Sequence, residues 1–283
     1  MTIDLVCGAI GVRADQKKAI ELAHRHGFES VAPDGGFLSR IGDADREDLL
    51  ATLEEKRLVF GAAGLPVDFR RDEAGFRDGM KRLEGIAVGL KKAGVTRVGT
   101  WISPGHGSLT YVQNFKQHAR RLREVAKLLS EHGLRFGLEY VGPKTSWTRS
   151  RHPFVHTMAE TKDLIAEIGE DNMGFVLDSW HWYTAKETEA DLLSLKNRDI
   201  VAVDLNDAPA GIPVHEQIDS RRELPAATGV IDLKTFLGAL QRIGYDGPVR
   251  AEPFNAALRK LPPEEATAAT ARAMKKAFSL LDV

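Results

Sequence analysis

Four acidic residues stand at the ends of four separate apolar runs, and short apolar runs of this kind are typical of buried strands. They are Glu139 in FGLEY, Asp178 in GFVLDSWHWY, Asp204 in IVAVDLND and Glu252 in PVRAEPF. A carboxylate that is buried without a partner is costly, because the loss of water disfavours its charged form. Since each acid holds the same position relative to its run, we expect the four carboxylates to converge on one cation.

The ligand chemistry indicates which cation this would be. A set of oxygen ligands favours a hard divalent ion, so we expect one Mn²⁺ or Mg²⁺, with Co²⁺ or Zn²⁺ as further candidates. A single acid at a strand end is more often the partner of an arginine, a helix cap or a solvated loop residue. Four acids in the same relative position make a metal site the better interpretation.

Other side chains near these acids could contact a substrate. His181 follows the second acid by three residues, and its imidazole could bind the metal or a substrate oxygen. Trp101 and Trp180 could line a pocket that accepts the apolar face of a sugar ring, although either could equally cover the core. His215 and Arg222 lie in PVHEQIDSRRELPAATG, and the planar fork of an arginine can hold a carbonyl, a carboxylate or a phosphate.

The elements that must position these residues alternate strictly between strand and helix. Candidate strands occupy residues 3–9, 30–32, 58–63, 97–102, 135–140, 173–178, 200–204 and 248–252. Helical periodicity fills the intervals, for example in 74–93 and 111–132, and a glycine before the next strand closes several helices. Eight such units predict an α/β fold, a (β/α)8 TIM barrel forming a single domain over residues 1–283.

The alternative fold is an open doubly wound sheet. Against it, the first strand–helix junction, AIGVRAD, lacks the glycine pattern that holds a pyrophosphate. Two predicted loops are long, 141–153 after the fifth strand and 206–229 after the seventh. Both leave the carboxyl ends of strands, where a TIM barrel carries its active site, and long loops in a small domain are usually functional.

Composition narrows the class of protein further. The 283 residues carry a formal net charge of -1, so no overall attraction to nucleic acid or to a membrane is expected. The single cysteine excludes an intrachain disulfide framework. The apolar stretch near the N-terminus follows no basic segment and is too short to span a bilayer, which predicts a cytoplasmic protein.

The sequence resembles the xylose isomerase-like TIM barrel superfamily, the sugar phosphate isomerase/epimerase group, over nearly its whole length. In that family Glu139 in GLEY, Asp178 and Glu252 in RAEPF match metal ligands, while His181 and Arg222 match a histidine and an arginine of the site. The departure is in VAVDLND, where Asp204 stands in place of the histidine of an HVHLKD-like run. The resulting set of four carboxylates is similar to one metal site of xylose isomerase.

The resemblance implies a divalent-metal-dependent isomerase or epimerase that acts on a keto sugar or a related polyol carbonyl. Glu139 and Glu252 would be both ligands and proton shuttles, acting through an enediolate that the metal stabilises. A lyase or dehydratase of the same fold is the alternative, acting on a keto-inositol, a dehydroshikimate or a 3-keto-glycoside. A non-catalytic sugar-binding protein also stays open. A DNA-repair endonuclease of this fold needs a histidine-rich shell, whereas this chain has nine scattered histidines. Relatives often pair through barrel helices, so a homo-oligomer is a further expectation.

Overall fold

Parallel strands follow one another around a closed barrel in this computed structural model, which describes residues 1–281. The barrel strands are β1 (Thr2–Leu5), β2 (Ser30–Val31), β3 (Val59–Phe60, continued by Ala63–Gly64), β4 (Arg97–Trp101), β5 (Arg135–Glu139), β6 (Met173–Asp178), β7 (Ile200–Leu205) and β8 (Pro248–Ala251). The sheet closes because β1 pairs with both β2 and β8, while the two halves of β3 pair with β2 and β4. The predicted TIM barrel is therefore confirmed.

Helices of very different length connect the strands. Within residues 1–281 they are α1 (Gln16–His26), α2 (Gly35–Leu38), α3 (Asp43–Glu55), α4 (Glu73–Lys92), α5 (Tyr111–Glu131), α6 (Lys144–Trp147), α7 (Met158–Ile168), α8 (Ser179–Thr184), α9 (Glu189–Leu193), α10 (Leu233–Ile243) and α11 (Pro263–Phe278). Short 3₁₀ turns lie at Asn197–Asp199, Val214–Glu216 and Leu258–Lys260. A two-stranded antiparallel ribbon, Gly105–His106 with His152–Pro153, joins the loops that follow β4 and β5.

Local sequence signals set several of the helix ends. Gly27, Gly169 and Gly244 cap the C-termini of α1, α7 and α10 with φ of 73°, 71° and 74°, a conformation that glycine adopts without steric cost. At the start of α10, the carboxylate of Asp232 accepts a hydrogen bond from the backbone N–H of Thr235. The glycine and aspartate signals in the sequence thus place the helix–strand junctions.

The first strand is shorter than the sequence predicts. The predicted run 3–9 ends as a strand at Leu5, because the chain turns there instead of continuing. The N–H of Ala9 donates to the carbonyl of Val6 at 3.1 Å, and the N–H of Val12 donates to the carbonyl of Cys7 at 2.9 Å. Apolar residues in a tight turn have the same local pattern as residues in a short strand, so periodicity does not separate them.

The inside of the barrel is filled by small residues and by a line of charged ones. Ala62, Val176 and Ala202 form a small apolar cluster inside the barrel. Register pairs Arg250 of β8 with Asp4 of β1 on one side and with Asp204 of β7 on the other. Because residues in register on neighbouring strands point to the same face, these three charged side chains share the barrel interior.

No helix within the described part of the chain combines the length and apolar composition that a bilayer crossing requires.

Two glycines of α4 provide a test of helix packing. A Cβ at Gly89 would lie 2.8 Å from the carbonyl carbon and oxygen of Leu38 in the backbone of α2, whereas a Cβ at Gly85 meets nothing within 4 Å. We expect Gly89→Ala to lower the free energy of unfolding by about 1–3 kcal/mol, because backbone must move to admit the methyl group. Gly85→Ala should raise it by roughly 0.5–1 kcal/mol, since alanine favours the helix.

Urea denaturation of the two variants beside the parent measures both effects. Equal shifts in the two variants would contradict the close approach of α2 and α4.

Candidate active site

A cavity of about 500 Å³ opens at the carboxyl ends of the barrel strands. Its lining includes Glu139, His181, Arg222 and Glu252 from the predicted site, and Trp101 at its edge. The loops after β4, β5 and β7 supply further polar groups: Ser103, Ser146, Arg149, Ser150 and Asp219. The cavity therefore lies where a TIM barrel carries its functional residues.

The four acids identified from the sequence come together at this cavity. Glu139 and Asp178 are the last residues of β5 and β6, Glu252 directly follows β8, and Asp204 lies on β7. One carboxylate oxygen from each of Glu139, Asp204 and Glu252 lies within 4.8 Å of the others. A second group with the same spacing contains Glu139, Asp178 and His181. Glu139 belongs to both groups, so it is the centre of the cluster.

Burial and mutual repulsion make these carboxylates unusual acids. Burial, followed by the charges of Glu252, Asp204 and Asp178, raises the pKa of Glu139 well above its usual range. Burial and the charge of Asp204 raise the pKa of Glu252 to about 8. Glu139 Oε1 is buried and, among the described residues, has no hydrogen-bond partner. The cluster therefore lacks the positive charge that would balance its buried carboxylates.

Asp178 is the most firmly held of the four acids. Its Oδ1 accepts hydrogen bonds from the backbone N–H of Trp180 at 2.7 Å and from Asn206 Nδ2 at 2.9 Å. Its Oδ2 accepts from Arg222 Nη1 at 2.7 Å. Burial still raises the pKa of Asp178 to about 6, against the opposing charge of Arg222. This carboxylate is fixed in one orientation by the start of α8.

Arg222 connects three carboxylates from one position. Its Nη1 donates to Asp178 and, at 3.1 Å, to Glu252 Oε2, while its Nη2 donates to Asp219 Oδ1 at 2.8 Å. The guanidinium lies 4.5 Å from the ring centroid of Phe254, and Trp180 lies on it at 5.4 Å. A buried arginine with these partners stays charged and orients the acids around it.

Both ring nitrogens of His181 lie beside donors. The backbone N–H of Gly142 donates to His181 Nδ1 at 3.2 Å, and Arg222 Nη2 lies 3.4 Å from His181 Nε2. That Nε2 lies 3.6 Å from Glu139 Oε1. Burial and the charge of Arg222 lower the pKa of His181 to about 3, which keeps the ring neutral. The ring therefore lies where it can bind either a metal ion or a substrate oxygen.

Asp204 already has a cationic partner. Arg250 holds it at two points, with Nε to Oδ1 at 2.5 Å and Nη2 to Oδ2 at 2.9 Å. The side chain of Asp204 is 1% exposed, so water does not compete for this bond. Of the four acids, Asp204 is the one whose two oxygens are bound by a single guanidinium.

The remaining predicted residues have three different locations. Trp101 is 47% exposed at the edge of the cavity, and the guanidinium of Arg70 lies 4.1 Å from its ring centroid. Trp180 is fully buried behind Arg222 and does not line the cavity. His215 lines a second cavity of about 540 Å³, which shares Ser146, Arg149 and Asp219 with the first. Trp101 is therefore exposed where it can contact a substrate. Trp180 is buried and can affect a substrate only indirectly, through its contact with Arg222.

Sequence reasoning missed Arg250, Asp219 and Phe254. Arg250 was visible as a charged residue inside the apolar run PVRAEPF, two residues before Glu252 and therefore on the same face. Asp219 stands three residues before Arg222, the spacing of a local ion pair. Phe254 gave no signal, yet its φ of 40° is unusual for a bulky residue, and such strain is frequent at functional sites.

One carboxylate fastens the long loop that carries Arg222. Asp207 Oδ2 accepts from the backbone N–H groups of Thr228 and Gly229, at 2.8 and 2.7 Å. Asp207 and Glu223 also exchange backbone hydrogen bonds of 2.9 and 2.8 Å. The segment around Arg222 is therefore tied to the end of β7 at several points.

A buried acid lies behind the site. The hydroxyl of Tyr140, next to Glu139, donates to Glu187 Oε2, and the backbone N–H of Met158 donates to Glu187 Oε1 at 2.6 Å. Burial raises the pKa of Glu187 to about 7, although both hydrogen bonds oppose this. Glu187 thus links the end of β5 to the start of α7.

Comparison with known proteins agrees with this geometry. The chain belongs to the xylose isomerase-like TIM barrel family, whose model matches residues 20–277. It is 26% identical to the inosose isomerase of Bacillus velezensis over 258 residues, 88% of this chain and 87% of that enzyme. It is 31% identical to the 3-dehydroshikimate dehydratase of Pseudomonas aeruginosa over 142 residues, half of this chain but 21% of that protein. Its relatives thus include isomerases and dehydratases.

Two solved structures have the same fold. A xylose isomerase domain protein from Alicyclobacillus acidocaldarius superposes with a TM-score of 0.83 at 30% identity, with 96% of each chain covered. The IolI protein, whose crystal structure contains a zinc atom, superposes with a TM-score of 0.80 at 23% identity, with 99% of this chain and 98% of IolI covered. Both matches confirm the barrel along nearly the entire chain.

Glu187 predicts a change of stability with pH. Its pKa of about 7 in the folded protein lies above the ordinary value of 4.5, so the folded state binds the proton more tightly. The stability that this proton provides is complete below pH 4.5 and is lost as the pH rises to about 7. In Glu187→Gln this side chain cannot ionise. Between pH 5 and pH 8 the free energy of unfolding of the variant should therefore fall by less than that of the parent, the difference reaching up to about 3 kcal/mol.

Chemical denaturation at the two pH values measures the difference. Glu131→Gln, at the exposed end of α5, is the matched control and should follow the parent. If Glu187→Gln also followed the parent, Glu187 would have to be ionised in the folded protein at pH 5.

Proposed function

We propose that this protein is a divalent-metal-dependent sugar isomerase or epimerase that acts on a keto sugar or a related polyol carbonyl. The observation that supports the proposal is the meeting of Glu139 and Glu252 around one point from different strands, with Asp204 beside them. Two carboxylates that reach a substrate from different sides can remove a proton and return one. This arrangement is what isomerisation and epimerisation next to a carbonyl require.

The donor set fits a divalent ion. Glu139, Asp178, Asp204, Glu252 and Asp219 bring five carboxylates, against the two guanidinium groups of Arg222 and Arg250. The buried and unpartnered Oε1 of Glu139 is the atom that such an ion would satisfy best. We propose that Glu139, Asp178, Asp204 and Glu252 hold the ion, and that it is Mn²⁺ or Mg²⁺ because the donors are all oxygen.

The relatives support the same chemistry. An inosose is a keto-inositol, so an inosose isomerase acts on a polyol that carries a carbonyl, and this chain matches one over 88% of its length. The zinc atom in IolI supports a divalent ion in this fold. Asp204 stands where the family that the sequence resembles has a histidine, so the proposed donor set of this chain contains only oxygen.

In the mechanism that we propose, Glu139 or Glu252 accepts a proton from the carbon beside the carbonyl. The electrons of that C–H bond move to the carbonyl oxygen and give an enediolate. The other glutamate then donates a proton, to the opposite face of the same carbon for epimerisation or to the former carbonyl carbon for isomerisation. In isomerisation a proton also passes from the hydroxyl oxygen of the first carbon to the former carbonyl oxygen. When bound, the divalent ion would stabilise the negative charge that develops on the two oxygens. Burial raises the pKa of both glutamates, that of Glu252 to about 8, and a carboxyl group with a raised pKa can hold a proton and return it to the substrate.

Two residues would orient the substrate. His181 Nε2 faces the cluster, 3.6 Å from Glu139 Oε1, within reach of a substrate oxygen bound there. Arg222 is already occupied by three carboxylates, so we assign it to hold those acids in place at the wall of the cavity. Trp101, at the edge of the cavity, offers a flat surface to a sugar ring.

A dehydratase is the second candidate. In that reaction the same base forms the enediolate, whose electrons then expel a hydroxyl group from the next carbon as water. The other glutamate would supply the proton for this leaving group, and His181 Nε2, within 4 Å of Glu139 and Asp178, lies close enough to orient it. The half-chain match to a 3-dehydroshikimate dehydratase supports this reading. A lyase of a 3-keto-glycoside would expel a glycosidic oxygen in the same way.

Loss of either glutamate should stop proton exchange. With Mn²⁺ present, we expect Glu139→Gln and Glu252→Gln to slow incorporation of deuterium from D₂O into an accepted keto sugar or inosose by about 10²–10⁴-fold, because each removes a proton-transferring group. Mass spectrometry of the recovered sugar measures the rate. EDTA treatment of the parent should produce a comparable loss that Mn²⁺ restores.

Glu167→Gln, on the exposed surface of α7, is the control and should exchange at the parental rate. Turnover near the parental rate in either site variant would eliminate the assignment. The product mass separates the candidates, because isomerisation conserves mass, dehydration loses water and glycoside cleavage gives two fragments.

A further inference from the structure

Arg250 lies directly below the carboxylate cluster, inside the barrel. It is on β8, two residues before Glu252, and its guanidinium binds both oxygens of Asp204 at 2.5 and 2.9 Å. Register places it between Asp204 on β7 and Asp4 on β1. The cluster of acids therefore has a permanent positive charge built into its floor.

Asp204 is the strong partner of this arginine. Asp4 is 1% exposed, and neither of its carboxylate oxygens has a hydrogen-bond partner among the described residues. A Cβ at Gly61 would come within 2.6 Å of both Asp4 oxygens, so the barrel wall, and not Arg250, closes around that carboxylate. Burial raises the pKa of Asp4 to about 6, so this carboxylate is mostly ionised at neutral pH and attracts Arg250 through space, without the two-point bond that Asp204 makes. The direct bonds of Arg250 are therefore to Asp204.

This pairing reduces what Asp204 can offer to a metal ion. Each of its oxygens gives one lone pair to Arg250, and its negative charge is largely neutralised by a cation that never leaves. A divalent ion beside Asp204 would also be repelled by the guanidinium, with little water between them. Arg250 and the metal therefore compete for the same carboxylate.

We propose that Arg250 is a positioning residue that acts through Asp204 to weaken the affinity of this site for its divalent ion. The proposal rests on the metal site of the proposed function. Because Asp204 is already bound to Arg250, Glu139, Asp178 and Glu252 contribute more of the free energy of metal binding. The charge that Arg250 supplies also keeps the cluster from depending wholly on a bound ion for its stability.

Calorimetric titration of EDTA-stripped protein with Mn²⁺ tests this without any measurement of turnover. In Arg250→Met the arginine's charge is removed and Asp204 is free, so we expect the Kd for Mn²⁺ to fall about tenfold or more relative to the parent. The same variant should melt at a lower temperature without metal, because Asp204 is then buried without a partner. Its melting temperature should rise further on addition of Mn²⁺ than that of the parent.

Arg97→Met is the matched control. Arg97 also lies on a barrel strand, its side chain is 15% exposed against 16% for Arg250, and it too binds an aspartate, Asp246 at 2.9 Å. We expect this variant to lose stability with its Kd for Mn²⁺ unchanged. Asp4→Asn should not tighten Mn²⁺ binding, because it removes negative charge. If Arg250→Met does not fold, Arg250→Lys, which cannot form the two-point bond, should still bind Mn²⁺ more tightly than the parent, by a smaller factor.

Failure of this inference is distinguishable from failure of the proposed function. A parent protein that binds Mn²⁺ with an Arg250→Met variant of equal or higher Kd would overturn the role of Arg250 and leave the metal site intact. Absence of saturable binding in both proteins would overturn the metal site and this inference together. Binding only in Arg250→Met would support the competition in its strongest form.

Discussion

An excess of buried carboxylates, held by two guanidinium groups, is the constraint on which the rest of the site depends. Arg222 reaches Asp178, Glu252 and Asp219 from above, and Arg250 holds Asp204 from below. Because both arginines are shielded from water, each bond is stronger than its surface equivalent and each loss would leave a buried charge without a partner. Glu139 is outside this network, and its buried Oε1 has no hydrogen-bond partner among the described residues.

The barrel and its loops make separate contributions to this arrangement. Strands supply the acids, since β5, β6 and β7 contain Glu139, Asp178 and Asp204 and set their spacing through backbone register. The seventh loop supplies Arg222 and Asp219, which orient them. The strands hold the carboxylates that are proposed to transfer protons. Arg222 of the loop determines which of these carboxylates have a positive partner. Such a division allows one barrel to serve several reactions.

The sequence was sufficient to predict the barrel and the meeting of the four acids, because strand ends, capping glycines and alternation are local signals. It was not sufficient for the partners of those acids. Arg250 stands openly in an apolar run, but its bond to Asp204 depends on the register between β7 and β8, which no local pattern encodes. Trp180 looked like a pocket residue in the sequence, but its side chain is buried. The direction of α8 causes this burial, and tertiary packing decides that direction.

The hydrogen bonds of Asp207 have a consequence for how this protein can change over evolution. They tie residues 223, 228 and 229 to the end of β7, so Arg222 stands directly beside one tie, while residues 209–217 lie farther along the same closed segment and border the second cavity. Residues 209–217 can change while the arginine stays in place, because Arg222 is held by the neighbouring bonds of Glu223 and by its own bonds to Asp178, Asp219 and Glu252. New substrates could then be acquired by altering that border alone, with the proton-transferring machinery inherited unchanged.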